Sequence, residues 1–368
     1  MLKATTIESL PDEIILDILF RLPAQDINSI KHVFPKWYSM TRKNDFVQTH
    51  LRKSTPGLLI LQEPVCRWDQ PIFFAAPEGR IEISHFHYNF KRTVLSSCNG
   101  LLLERHFNDR DLYITNPATK QRFALPRFPT TTRPSRCCAI AYVATTKEYK
   151  VVASFSHSDN FECMIMILTV GVDTGWDRRV SIQDLPLEAK KLLRGDTLTT
   201  EGFVHWTRDY NDILTLNVET EVITQFRVPN SCHVGDDGKR LRYYYLAMGS
   251  YLSLLIAKSY LSWEVWEMRP ENGEWTRMPD IDVEARNVLR HLSSKLKHSR
   301  TTNCWLEPVG WLNSREVLMF HVDLDIPNPE RFLIAYNVRT REIDSFELYY
   351  RFLTSYFMAH RNSMVWFG

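Results

Sequence analysis

The sequence predicts an α plus all-β protein. A three-helix unit occupies residues 1–55, and a β-propeller-like domain of six blades, closed by both termini, occupies residues 56–368. Three observations lead there. Apolar residues at helical spacing crowd residues 9–51. Past Pro56 that periodicity fades into short runs of Val, Ile, Leu, Tyr, Phe and Trp, punctuated by Gly, Pro, Asn and Asp. Such runs are an all-β signature. Within them one hairpin pattern recurs three times with two related hairpins between the copies, and such recurrence marks a repeat architecture.

The helical unit comes first. Ile14, Ile15, Ile18, Leu19 and Leu22 fall at i, i+1, i+4, i+5 and i+8, giving a first helix one solidly aliphatic face. Ser9 with Asp12 reads as a capping box, with Pro11 in the first turn, where a missing N–H costs nothing. Asp17 and Arg21 make an i,i+4 pair. Pro23 ends the helix, and Asp26 can cap a second one. Ile27, Ile30, Val33, Phe34 and Trp37 continue the apolar pattern, and Pro35 is expected to kink or restart that helix. A unit this small is near the limit of what can bury its own core. Each fully buried aliphatic side chain is worth roughly 1.5–3 kcal/mol. The apolar surplus must therefore cover something else, either the rest of the chain or a partner.

The β region follows. LYITNPATKQRFAL (112–125), ILTLNVETEVITQF (213–226) and LIAYNVRTREIDSF (333–346) each carry Asn-x-x-Thr at the turn. Asn opens such a turn by bonding the backbone two residues on. ILTVGVDTGWDRRV (167–180) and VWEMRPENGEWTRM (265–278) alternate with them and place Trp after the turn. A strand announced by a turn residue precedes each hairpin, and a last one is expected at Asn362–Trp366. Five units are thus complete. GLLILQE (57–63) and RIEISHFHY (80–88) supply part of a sixth, split between the termini. Closing the ring removes exposed sheet edges. A flatter, sandwich-like array is the alternative.

Composition narrows the function classes. The chain has 368 residues, 44% hydrophobic and 24% charged, with a formal net charge of +2. Residues 1–55 hold eight Lys/Arg and six Asp/Glu, leaving 37 against 37 beyond them. That balance lacks the basic field of nonspecific nucleic-acid binding. The seven cysteines are scattered, without zinc spacing, and read as reduced thiols of the cytoplasm or nucleus. No signal-peptide layout opens the chain. The uncharged run 243–257 is too short to span a membrane and reads as two adjacent strands.

The N-terminal segment resembles an F-box, through Leu10-Pro11, the Ile14/Ile15/Ile18/Leu19 core, Leu22-Pro23, Ile27, Val33, Trp37, Phe46 and His50-Leu51. SSCNGLLL (96–103), NPATKQRFALP (116–126), AYVATTKEYKVV (141–152) and EGFVHW (201–206) resemble the F-box-associated, kelch-like domain of the large plant F-box family, which includes the S-locus group. The resemblance implies a non-catalytic substrate-recognition subunit of an SCF-type (Skp–cullin–F-box) ubiquitin ligase. Its partners would be a Skp-type adaptor, through it a cullin–RING ligase, and a target protein. It implies adaptor contacts at Leu10, Pro11, Ile14, Ile15, Ile18, Leu19, Leu22, Pro23, Ile27 and Val33, with Trp37 locking the helices together. The alternative is a lectin-like or scaffold propeller acting without ubiquitin transfer.

Other chemistry finds less support. Asp236, Asp237, Asp323, Asp325 and Asp344 could supply the paired carboxylates of a glycosidase, but acidic turns are common in any β protein. His85 and His87 share a strand face near Cys98, with no further metal ligands in view. No metal or cofactor is expected. Residues 283–300 place Ala285, Val288, Leu289, Leu292 and Leu296 on one helical face and Arg286, Arg290 and Lys297 on the other. They read as a helix capping the propeller or a basic grip on an acidic partner. LEAKKLLRG (187–195) reads as a shorter helix. Trp206, Trp263, Trp266, Trp275, Trp305, Trp311 and Trp366 are expected mostly in blade cores, with some available to a recognition surface.

Overall fold

The structure, a computed structural model, describes residues 10–63, 71–86, 93–105, 111–128, 137–156, 163–207, 211–229, 241–284, 287, 288, 290, 292, 304–313, 315–324, 331–348 and 354–366. Four helical segments open it: α1 (Asp12–Arg21), α2 (Ala24–Ile30), α3 (Pro35–Thr41) and α4 (Asn44–Lys53). Pro35 does restart the expected second helix. It occupies the first turn of α3, and Phe34 before it is extended, as a residue preceding proline prefers. The caps differ from expectation. Pro11 and Pro23 are the N-caps of α1 and α2, without side-chain capping bonds. Ser9 lies outside the described residues, and Asp26 sits in the first turn of α2 instead, where its charge favours the positive helix end. Ile15, Leu19, Ala24, Ile27, Trp37, Met40 and Phe46 form the helical core. Phe20 stacks on Phe46 at 4.9 Å.

The remainder is a ring of six four-stranded antiparallel sheets. The chain runs through β1 (Pro56–Glu63), β2 (Ile72–Ala75) and β3 (Glu82–His85), which belong to blade 1. Blade 2 is β4 (Thr93–Cys98), β5 (Leu101–Arg105), β6 (Leu112–Asn116) and β7 (Gln121–Ala124). Blade 3 is β8 (Cys138–Val143), β9 (Glu148–Ser156), β10 (Cys163–Thr169) and β11 (Arg178–Val180). The expected short helix α5 (Leu187–Leu192) leads into blade 4: β12 (Thr197–Thr200), β13 (Phe203–Trp206), β14 (Asp212–Asn217) and β15 (Val222–Arg227). Blade 5 is β16 (Arg242–Met248), β17 (Tyr251–Ser259), β18 (Ser262–Arg269) and β19 (Glu274–Asp282). Blade 6 is β20 (Cys304–Leu312), β21 (Val317–Leu324), β22 (Arg331–Asn337) and β23 (Ile343–Leu348). β24 (Thr354–Arg361) then pairs with β1 from Pro56↔Arg361 to Glu63↔Thr354, completing blade 1 and closing the ring.

The turn chemistry matches its sequence reading. Asn116, Asn217 and Asn337 each accept two backbone N–H bonds through Oδ1, from the residues two and three positions on. The next residue, Lys120, Glu221 or Arg341, is left-handed. Neighbouring blades interlock by charge as well as by packing. Buried Lys150 of β9 pairs with Glu221 of the next blade at 2.8 Å and donates to the Val218 carbonyl.

Three details correct the sequence reading. The closing strand is Thr354–Arg361, and Asn362–Trp366 continues past it without strand pairing. Strand β2 goes beyond the sequence reading, since IFFA is a short, fully buried run without the alternation that marks a half-buried strand. Of the seven tryptophans expected mostly in blade cores, Trp206 and Trp263 are fully buried, Trp266, Trp275, Trp305 and Trp311 are half-buried, and Trp366 is exposed. A buried indole needs a partner for its N–H. Half-buried Trp275 and Trp311 find theirs in the Arg227 carbonyl and Ser253 Oγ, at blade boundaries.

Candidate functional site

The helical segment α1 has one sealed face and one open face. Ile15, Leu19 and, from α2, Ile27 are 1%, 0% and 0% exposed. Ile14 and Ile18 are 49% and 40% exposed, and Val33, beyond α2, is 61% exposed. Ile14, Asp17, Ile18 and Arg21 fall at i, i+3, i+4 and i+7, so they form one ridge. The Asp17–Arg21 ion pair, 2.8 Å, lies along it in solvent. Pro11 and Pro23 are exposed, while Leu10 and Leu22 are half-buried. The ten implied contact residues therefore split. Ile15, Leu19 and Ile27 serve the internal core and offer no surface to a partner in this conformation. Trp37 is buried among the helices as expected. His50 of α4 donates from Nε2 to the Leu22 carbonyl at 3.0 Å, tying α4 to the end of α1. Burial lowers its pKa from the ordinary histidine value, against the raising effect of the bond to the Leu22 carbonyl.

The helices seat on one end of the ring. Ala118, from the β6–β7 turn, and Met364, past β24, complete the helical core. Leu51 of α4 packs in turn into the core shared by blades 2 and 3. Arg361 Nη1 donates to the Leu51 carbonyl at 3.4 Å. Because β24 ends at this face and β1 begins there, the inner strand of blade 1 runs from the opposite end toward the helices. The same blade plan, repeated, aligns the other inner strands with it.

A family model described as the F-box associated beta propeller domain matches residues 65–367, and one described as the F-box domain matches residues 7–49. The chain belongs to the F-box proteins with an F-box-associated β-propeller. Its relatives include F-box protein At5g49610 of Arabidopsis thaliana, 24% identical over 74% of this chain and 79% of the relative. The putative F-box/kelch-repeat protein At1g13200 of the same plant is 22% identical, over 92% of this chain and 86% of the relative. F-box protein At5g65850, also from Arabidopsis thaliana, is 28% identical over 44% of this chain, which spans 42% of that relative.

In this F-box protein the end of the propeller away from the helices carries an aromatic cluster. Tyr260, in the β17–β18 turn, is 58% exposed and meets Trp305 of β20 edge-on at 5.7 Å. Tyr244 and Arg242 of β16 lie alongside, with Arg242 reaching Glu307 at 3.5 Å. The central channel holds a cavity of about 290 Å³, bordered by Thr93, Leu198, Tyr245, Val309 and Tyr356, with Asp196 the only charged group among its described lining.

The weaker candidates resolve as follows. Among the described residues no group of three or more His, Cys, Asp or Glu is placed to hold a metal. His85 is exposed on β3, and His87 lies outside the described residues. Asp323 and Asp344 are exposed, away from the channel lining, and Asp236, Asp237 and Asp325 lie outside the described residues. Burial pushes the Cys98 and Cys138 thiols up to about 12, which leaves them unreactive. Within 283–300, Val288 and Leu292 are helical and buried in the blade 5–6 core, as a capping helix requires. Ala285, Arg286, Leu289, Leu296 and Lys297 lie outside the described residues.

Proposed function

We propose that this protein is the target-recognition subunit of an SCF-type ubiquitin ligase, recruiting a protein for ubiquitination and proteasomal degradation in the cytoplasm or nucleus. Its F-box binds a Skp-type adaptor, and through it a cullin–RING ligase. The end of the propeller remote from the F-box holds the target. The protein works by proximity and performs no chemistry itself: tethering the target near a ubiquitin-loaded enzyme raises its effective concentration.

The observation that carries this reading is the unequal burial of adjacent isoleucines on α1. Ile15 is sealed while Ile14 and Ile18 stay about half in solvent, on helices whose own core is already complete. An aliphatic ridge left open beside a finished core is what a docking helix presents. Family membership supports the same partner. The aromatic cluster at Tyr260 and Trp305 favours the far end for the target, because Tyr and Trp dominate binding hot spots.

The test is co-purification. Full-length wild type should capture a Skp-type adaptor and a cullin from plant cells, and Ile14→Asp/Ile18→Asp should capture neither. Capture by the double variant at wild-type levels refutes the proposal and favours a lectin-like or scaffold role.

A further inference from the structure

Three hairpins share Asn-x-x-Thr, yet one asparagine does more than the others. Asn116, Asn217 and Asn337 all hold their turns through Oδ1. Asn116 is buried, and its Nδ2 also donates to the Ser363 carbonyl at 3.0 Å and the Val365 carbonyl at 2.7 Å. Among the described residues, neither Asn217 nor Asn337 makes a comparable bond. All four hydrogen-bonding positions of the Asn116 amide are therefore filled.

Those two carbonyls belong to residues 362–366, the unpaired segment past β24. Successive side chains there point into different bodies. Met364 enters the F-box core beside Ala118. Val365 enters the core of blades 2 and 3, which also receives Leu51. Ser363 Oγ donates to the Asn99 carbonyl. Gly100 beside it is left-handed, with φ +88°, and a Cβ there would stand 2.2 Å from Ser363 Oγ. The covalent connection from α4 to β1 is only Ser54 and Thr55. Ser54 and Thr55 by themselves would let the two bodies pivot; the seating of Leu51 in the propeller core, the Arg361 bond to its carbonyl and residues 362–366 together fix their angle.

We infer that residues 362–366 form a strap that holds the F-box and propeller at one fixed angle, with Asn116 as its positioning residue. The rigidity belongs to the free chain. Its consequence, a target held at constant distance and orientation from the adaptor, rests on the proposed receptor role.

The repeat supplies its own control. Asn→Asp keeps both acceptor bonds within the turn but replaces the donor pair with a carboxylate facing two carbonyls. Full-length protein would carry spin labels on unnatural residues at exposed Ser29 of α2 and Thr276 of β19, leaving the native cysteines in place. Pulsed electron spin resonance then reads the distance distribution between F-box and propeller. Wild type, Asn217→Asp and Asn337→Asp should each give one narrow peak. Asn116→Asp should at least double its width, with adaptor affinity changed less than about threefold. Should Asn116→Asp fail to fold, a chain ending at Asn362 and the milder Met364→Ala give the same reading. An unbroadened peak in folded Asn116→Asp, or in the shortened chain, overturns the inference. So does equal broadening by all three Asn→Asp variants. The labels report without adaptor or target, so this inference and the receptor proposal fail separately.

Discussion

Replacing Ile14 and Ile18 together tests the docking ridge most directly. The two side chains keep 49% and 40% of their surface in water. Full burial of such a side chain is worth roughly 1.5–3 kcal/mol, so covering the remaining half of each contributes about 1 kcal/mol. Ile14→Ala/Ile18→Ala should then lose about 2 kcal/mol of adaptor binding. At 1.4 kcal/mol per decade, that is roughly a 30-fold rise in Kd. Ile14→Asp/Ile18→Asp also strands two carboxylates in the interface, each costing a further ~1–3 kcal/mol, and should bring binding below detection. Folding should barely respond, because exposed substitutions usually stay within about 0.5 kcal/mol. Ile15→Ala is the contrast: it opens a cavity in the sealed core and should cost about 2–5 kcal/mol of stability. Titration calorimetry against a purified Skp-type adaptor, beside thermal denaturation, separates the two effects. A change in Kd below threefold for the double alanine variant, with folding intact, would show that the ridge is not the docking surface.

Acid should destabilise the propeller through two buried imidazoles. His205 sits between Thr200 and Thr215 hydroxyls at 2.8 and 3.0 Å, His360 lies 2.9 Å from Ser97 Oγ, and burial brings both down to about 3. The unfolded chain takes up these protons below its ordinary value near 6.5 and the folded one does not. Stability is therefore full above that value and falls as pH drops toward 3. Denaturant titration should show a loss of about 2 kcal/mol per histidine between pH 7 and 5, and His205→Gln should flatten part of that slope. Arg315→Ala should leave the buried Glu267 carboxylate, now paired at 2.9 Å, without its cation. Chemical denaturation should register a cost of about 1–3 kcal/mol, relieved by adding Glu267→Gln. Gly57→Ala in β1 would place a Cβ 2.1 Å from the Phe74 carbonyl. Forcing β1 and β2 apart in the closing blade should lower the midpoint of unfolding by an amount equivalent to about 1–3 kcal/mol.

Local pattern made much of this protein legible before any coordinates. The hairpins at 112–125, 213–226 and 333–346 follow from Asn side chains that bond their own turns, a matter of four consecutive residues. The blade count follows from those three hairpins, the two Trp hairpins that alternate with them and the unit split between the termini, and Pro35 restarting a helix follows from its missing N–H. Contacts between distant segments were not legible. Ile14 and Ile15 are chemically alike and adjacent, so a helical pattern assigns both to one broad apolar face. Only the packing of α2, α3, α4 and Met364 against α1 decides that Ile15 is sealed and Ile14 open. Asn116 reads as a turn residue like its two counterparts, because its second role depends on carbonyls about 250 positions away. Short-range periodicity and turn chemistry reside in the chain itself. Which apolar surface stays open, and which side chain joins the two bodies, is settled only when remote segments compete for the same space.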